Sequence, residues 1–153
     1  MSLKIITVGK IKENYLVDGI NEYMKRIKPY ASIDIHEIKE VNTSDVKKNI
    51  LEEGRLILNC IKPDDEVIVL AIEGKQYSSV EFANIIKNHF DYNGKPLVFI
   101  IGGSDGLSDE VKSRSNLMIS FGKMTFPHQV MRLILMEQLY RAYMINNNKK
   151  YHK

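Results

Sequence analysis

The sequence predicts an α/β protein: a parallel-dominated sheet with helices on both faces. Three observations predict it. Short β-branched runs alternate with helical apolar patterns along the whole chain. Two of the runs, 66–72 (EVIVLAI) and 97–101 (LVFII), are nearly continuously apolar, as strands covered on both faces are. Turn residues separate the segments, and no composition shift, repeat or linker divides 1–153 into two units.

Residues 4–8 (KIITV), closed by Gly9, form the first strand. Leu16, Ile20, Tyr23, Met24 and Ile27 recur at helical spacing over 15–27, and Pro29 stops that helix. Over 32–38 (SIDIHEI), Ile33 and Ile35 alternate with Asp34 and His36. That pattern predicts a strand with one wet face, at or near a sheet edge. Thr43, Ser44 and Asp45 offer oxygens to cap a helix running to about 61. Val46, Ile50, Leu51, Leu56, Ile57 and Cys60 form its expected apolar stripe. Glu73, Gly74 and Lys75 then end the third strand, at the end where α/β proteins place ligands.

Ser79, Val80 and Glu81 signal the start of the next helix, ahead of Phe82, Ile85 and Ile86. After 97–101 comes a turn with three glycines, Gly102, Gly103 and Gly106. Ser108 caps a short helix through 113, and 117–121 (LMISF) is the last strand. Residues 122–126 form a loop, Pro127 suits the first helical position, and the final helix covers 128–145.

The 153 residues, 44% apolar, can bury a substantial core. Cys60 is the only cysteine, so no intrachain disulfide forms; within LILNCI it reads as a small buried hydrophobe. The four histidines are scattered, with no HExxH and no Cys/His pairing, so no metal site is expected. No run approaches the ~18 apolar residues of a membrane helix. The first residues form a strand rather than a signal peptide, which predicts a cytoplasmic protein. The net charge of +3 permits an anionic partner without dictating one. The end, NNNKKYHK, gathers lysines and His152 around Tyr151. Such a tail suits RNA contact and equally a solvated terminus.

The turn GGSDG is not GxGxxG, and GxxxxGK[ST] is absent. Its glycines still let the backbone turn sharply and something approach closely, unless it is a tight turn without a ligand. The loop FGKMTFP offers Phe121, Met124 and Phe126 as apolar walls and its backbone as a reader of an adenine edge. The alternative is that these are core residues at the start of the last helix. On that helix His128 and Arg132, four apart, share a face. His128 is the only histidine near both loops and the best candidate for moving a proton near neutral pH. Glu137 and Arg141 are spaced for an i,i+4 ion pair.

The stretches IIGGSDGL, SFGKMTFPHQVMRLILMEQLYRA and the terminal YHK strongly resemble the RlmH family, SPOUT-superfamily methyltransferases of bacterial large-subunit ribosomal RNA. The resemblance runs from KIITVGKIKE through LAIEGK to the last residue. It implies a C-terminal trefoil knot, a rare exception to ordinary topology, and a homodimer with its site at the interface. It implies S-adenosylmethionine held by Leu70, Gly102, Phe121, Gly122, Lys123, Met124, Thr125 and Phe126. The implied reaction is methyl transfer to N3 of a pseudouridine in 23S rRNA of the assembled ribosome. His128 would assist proton removal and Arg132 would stabilise the resulting anion. Tyr151 and His152 would reach the partner subunit's site and help hold RNA. Two alternatives remain: a ribosome-binding factor with a vestigial pocket, and a dinucleotide oxidoreductase, which the missing GxGxxG disfavours.

Overall fold

The computed structural model describes all 153 residues, Met1 to Lys153. In chain order the elements are β1 (Ser2–Val8), α1 (Asn14–Ile27), β2 (Ser32–Ile38), α2 (Val46–Asn59), β3 (Glu66–Gln76), α3 (Ser79–Tyr92), β4 (Leu97–Ile101), α4 (Asp109–Arg114), β5 (Leu117–Ser120) and α5 (His128–Asn146). The five strands form one parallel sheet in the order β2-β1-β4-β3-β5.

Strand side chains alternate between two helical layers. Leu3 and Ile5 of β1, Phe99 and Ile101 of β4 and Ile119 of β5 pack in a cluster with residues of α1, α3 and α5. Ile6, Val8, Val67, Val69, Val98 and Ile100 form a second cluster with Ile57 of α2 and Val111 of α4. All five residues of β4 are buried, which accounts for the unbroken run LVFII. Each such side chain contributes about 1.5–3 kcal/mol relative to exposure. β2 is an edge strand, as its alternation predicts, and His36 faces outward and bonds Asp34 at 2.8 Å.

Three local expectations are corrected. First, the buried face of α2 is Asn49, Glu53, Gly54 and Ile57, whereas Val46 and Leu51 are about half exposed. The helix packs partly on loops that need polar partners, so its apolar arc is not its inner arc. Asp45 caps it through Lys48 N, and Thr43 bonds Asn49 instead. Second, β3 does not stop at Glu73. It runs to Gln76 through an irregularity in which Leu70 and Lys75 both pair with Ile119. Third, Pro127 precedes α5 as its cap instead of filling its first helical position, whereas α3 starts at Ser79 as expected, capped by Ser78 in a reciprocal box with Glu81.

Topology positions the site. β4 and β5 flank β3, so the chain steps from β3 to β4 and then back across β3 to β5. The loops after β4 and β5 therefore face each other over the C-terminal end of β3. A crevice at such a reversal is the usual ligand position in a parallel sheet. No helix is long and apolar enough to cross a membrane.

Candidate cofactor and catalytic site

A cavity of about 750 Å³ opens over the end of β3, within the usual range for a small-molecule site. Leu70, Ile101 and Ile119 form its base, and residues 102–107 form one wall. Phe121, Gly122, Met124, Thr125 and Phe126 form the other. His128 and Met131 from the first turn of α5 close one side. Seven of the eight expected cofactor residues thus line one cavity, together with His128. Lys123, the eighth, is exposed and does not line it.

The walls are shaped by backbone. A Cβ on Gly102 would lie 2.8 Å from Leu107 Cγ and 3.2 Å from Gly106 C, so the turn folds onto itself there. Gly106 N donates to Gly103 O at 3.1 Å, closing the turn. Gly122 has φ +129, a conformation side chains resist. It is held by Ser120, whose Oγ accepts from Gly122 N and donates to Gly122 O.

The irregularity in β3 brings Ile72 and Glu73 to the rim, where Glu73 pairs with Lys112 at 2.6 Å. That hydrogen bond holds the Glu73 carboxyl below the usual carboxylate range. The sequence places Glu73 at the ligand end of β3 without giving it a partner, and nothing in it points to Lys112. The only signal was LAIEGK, where an apolar residue and a carboxylate follow a buried strand.

His128 and Arg132 occupy different environments. A Cβ on Gly9 would lie 3.9 Å from His128 Nε2 and 3.7 Å from Glu40 Oε2. The imidazole and that carboxylate thus approach one backbone position. Arg132 is only 4% exposed and does not line the cavity. Its Nη1 pairs with Glu37 at 2.7 Å and its Nη2 donates to Gly9 O at 3.1 Å. The guanidinium thereby fixes the Gly9 turn beneath His128.

Tyr151 and His152 lie elsewhere. Tyr151 OH donates to Glu137 at 3.0 Å, and its ring lies 4.8 Å from the Arg141 guanidinium. Arg141 bonds both Glu137 and His152 Nδ1. Burial, then hydrogen bonds with Tyr23 and Glu137, raises the Tyr151 phenol above its ordinary value. Glu137 is nine positions along α5 from His128, roughly 13 Å at 1.5 Å per residue. Within one chain the tail cluster and the cavity are separate.

Comparison with known proteins bears on what this cavity is for. A family model described as "Predicted SPOUT methyltransferase" matches residues 1–152. The chain belongs to the SPOUT methyltransferase family. Among its relatives, Ribosomal RNA large subunit methyltransferase H from Bacillus pumilus is 49% identical over the full length of both chains. The proteins of that name from Exiguobacterium and Streptococcus mutans are 48% and 49% identical, again over both full lengths. A solved structure of a probable methylase family protein from Haemophilus influenzae aligns with a TM-score of 0.58 at 13% identity. It covers 99% of this chain and 70% of that one, and it supports the fold alone. The two facing loops and His128 line a single crevice in this chain.

Proposed function

We propose that the chain, acting over 1–153 as a single α/β-knot domain, is a SAM-dependent rRNA methyltransferase. It transfers a methyl group from S-adenosylmethionine to N3 of a pseudouridine in bacterial 23S rRNA, within the assembled ribosome in the cytoplasm. The observation that carries this reading is the cavity over β3, walled by the two loops and reached by His128, in a chain that matches a methyltransferase family along its length.

The residues present fit an adenosyl ligand. Phe121, Met124, Phe126 and Leu70 supply apolar surface, and the tight Gly102 turn brings backbone polar groups close. Lys123, exposed beside them, would lie near the anionic acceptor. When bound, S-adenosylmethionine supplies a sulfonium methyl group already activated for in-line displacement. The chain's residues orient donor and acceptor and exclude water. Methylation at N3 requires that its proton leave, and His128 would accept it as general base. Arg132 serves this step indirectly. Its charge is committed to Glu37 and Gly9, so it positions the Gly9 turn opposite His128 instead of meeting the anion.

The tail then acts in a homodimer. Tyr151 and His152 pack beside Glu137 and Arg141, away from their own cavity, and in a dimer they would reach the partner's. There they would hold RNA, with affinity falling steeply as salt rises.

The test is calorimetric titration with S-adenosylmethionine, followed by methylation of ribosomes lacking the modification and mass spectrometry of the rRNA. The expected result is binding at one or fewer molecules per chain and one added methyl on a pseudouridine. A folded protein that associates with ribosomes but binds no S-adenosylmethionine would overturn the enzymatic reading in favour of a ribosome-binding factor. Replacing His128 with Ala should reduce the methylation rate by about 10²-fold or more; an undiminished rate removes it from the mechanism.

A further inference from the structure

The inner face of α2 carries polar residues to which the reading above gives no role. Glu53 is 3% exposed and Asn49 1%. A buried carboxylate is normally paired with a cation, but Glu53 has none. Its Oε2 accepts from Val41 N at 2.9 Å, and its Oε1 has no partner. A Cβ on Gly103 would lie 3.3 Å from that Oε1, so the free oxygen faces the back of the glycine turn.

Neighbouring positions repeat the arrangement. Asn49 Oδ1 accepts from Thr43 N at 3.0 Å. Asn49 Nδ2 donates to Thr43 O at 3.0 Å and to Asp105 Oδ2 at 3.4 Å. Gly54, lacking a side chain, leaves room for Ser108, which caps α4 through Val111 N. Three positions on one face of α2 therefore touch the chain between 103 and 108. Two of them also hold the loop that follows β2, where Glu40 approaches the same Gly9 position as His128.

We propose that Glu53 is a positioning residue for the cofactor wall: its buried carboxyl, held by the Val41 amide, packs against the back of the glycine turn at Gly103, so that the Gly102 turn keeps the shape that receives the adenosyl ligand. The inference rests on the reading that this cavity takes S-adenosylmethionine. Burial raises the Glu53 carboxyl above its usual value. The Val41 amide opposes the rise, and two acidic neighbours, Glu40 and Asp105, add to it. The fold thus favours the protonated acid more than water does. Its stabilising effect is full below the ordinary carboxylate value of 4.5 and is lost as pH rises through the raised one.

The experiment compares wild type, Glu53→Gln and Glu53→Ala by calorimetric titration with S-adenosylmethionine over pH 5 to 9, with a thermal melt of each. Glu53→Gln, an analogue of the neutral acid, should bind within about twofold of wild type at the low end. Its affinity should stay flat where the wild type's declines. Glu53→Ala should weaken binding at least about tenfold while still folded at the titration temperature. Wild-type affinity in Glu53→Ala, or a loss in Glu53→Gln equal to that in Glu53→Ala, would overturn the proposal. If Glu53→Ala fails to fold, the other two proteins decide, and parallel pH profiles overturn it. Wild type that binds no S-adenosylmethionine at any pH overturns the cavity reading and this inference together. Wild type that binds alongside an unimpaired Ala variant overturns this inference alone.

Discussion

Residues 102–107 and 121–127 face each other across the end of β3, yet only the first loop is bonded into the scaffold behind it. Asn49 reaches Asp105, Glu53 backs Gly103, Val8 packs beneath Gly103, and Ser108 is seated against Gly54. The second loop is held chiefly by Ser120 at Gly122. Lys123, Met124, Thr125, Phe126 and Pro127 are all exposed, Met124 by 79%. One wall is braced against α2 by the Asn49–Asp105 hydrogen bond and by packing at Gly54 and Gly103. The other offers apolar side chains to solvent. Preforming lowers the ordering cost of binding, and leaving an apolar wall open reserves hydrophobic gain for the bound state.

The comparison breaks most severely where both walls are anchored. A Cβ on Gly74 would come within 2.8 Å of the Ile119 and Met118 backbone. Backbone cannot yield as a side chain does, so Gly74→Ala should cost about 3 kcal/mol. It should also disturb β5 and the second wall with it; a small change in chemical denaturation would refute the close approach. Arg132→Met comes next. It removes a buried guanidinium from Glu37 and Gly9 and should destabilise by about 2–3 kcal/mol, below the full range for buried pairs because Glu37 is partly solvated. The same variant should slow methylation more than it weakens S-adenosylmethionine binding, because the Gly9 turn faces His128.

Smaller substitutions sharpen the contrast between the walls. Gly102→Ala crowds Leu107 and the Gly106 backbone. It should reduce cofactor affinity about tenfold with a melting shift of only a few degrees. Met124→Ala should leave stability within about 0.5 kcal/mol and weaken affinity by about threefold. Titration and melts on the two variants test whether the first wall is the rigid one; equal stability losses would contradict it. The smallest effect lies at the rim. The Glu73 carboxyl is lowered by Lys112, so its stabilising contribution is present above the ordinary value of 4.5 and fades as pH falls through the lowered one. Lys112→Met should remove that small contribution at neutral pH and leave the acid end nearly unchanged, so the acid part of the melting profile flattens.

Much of this architecture is legible in the residue order. The alternation in SIDIHEI predicts an edge strand, and LVFII predicts a central one, because burial on one face or two leaves a direct imprint on a strand of period two. The glycine turn and FGKMTFP were chosen for backbone freedom and apolar walls, and they face each other in the fold. The stripe of α2 differs from its periodicity, with Val46 and Leu51 turned outward and Asn49 and Glu53 inward. Helical period shows which residues share a face, but not what lies opposite, and here that is a pair of polar loops, one of them some fifty residues away. Leu70 was legible only as core, since its place at the cavity base depends on where β5 ends.

The sequence by itself determined the α/β class, the strands and helices to within a few residues, and the two loops rich in backbone function. These follow from local periodicity, turn chemistry and caps, which act over a few residues. Tertiary structure decided that β3 lies between β4 and β5, that its irregular end carries Glu73 to the rim, and that Arg132 is bound to Glu37 and Gly9. It also decided that Glu53 is buried beneath the glycine turn without a cation. Each of these depends on contacts between segments distant in the chain, and the burial and pairing of a charged group are fixed only when those segments meet.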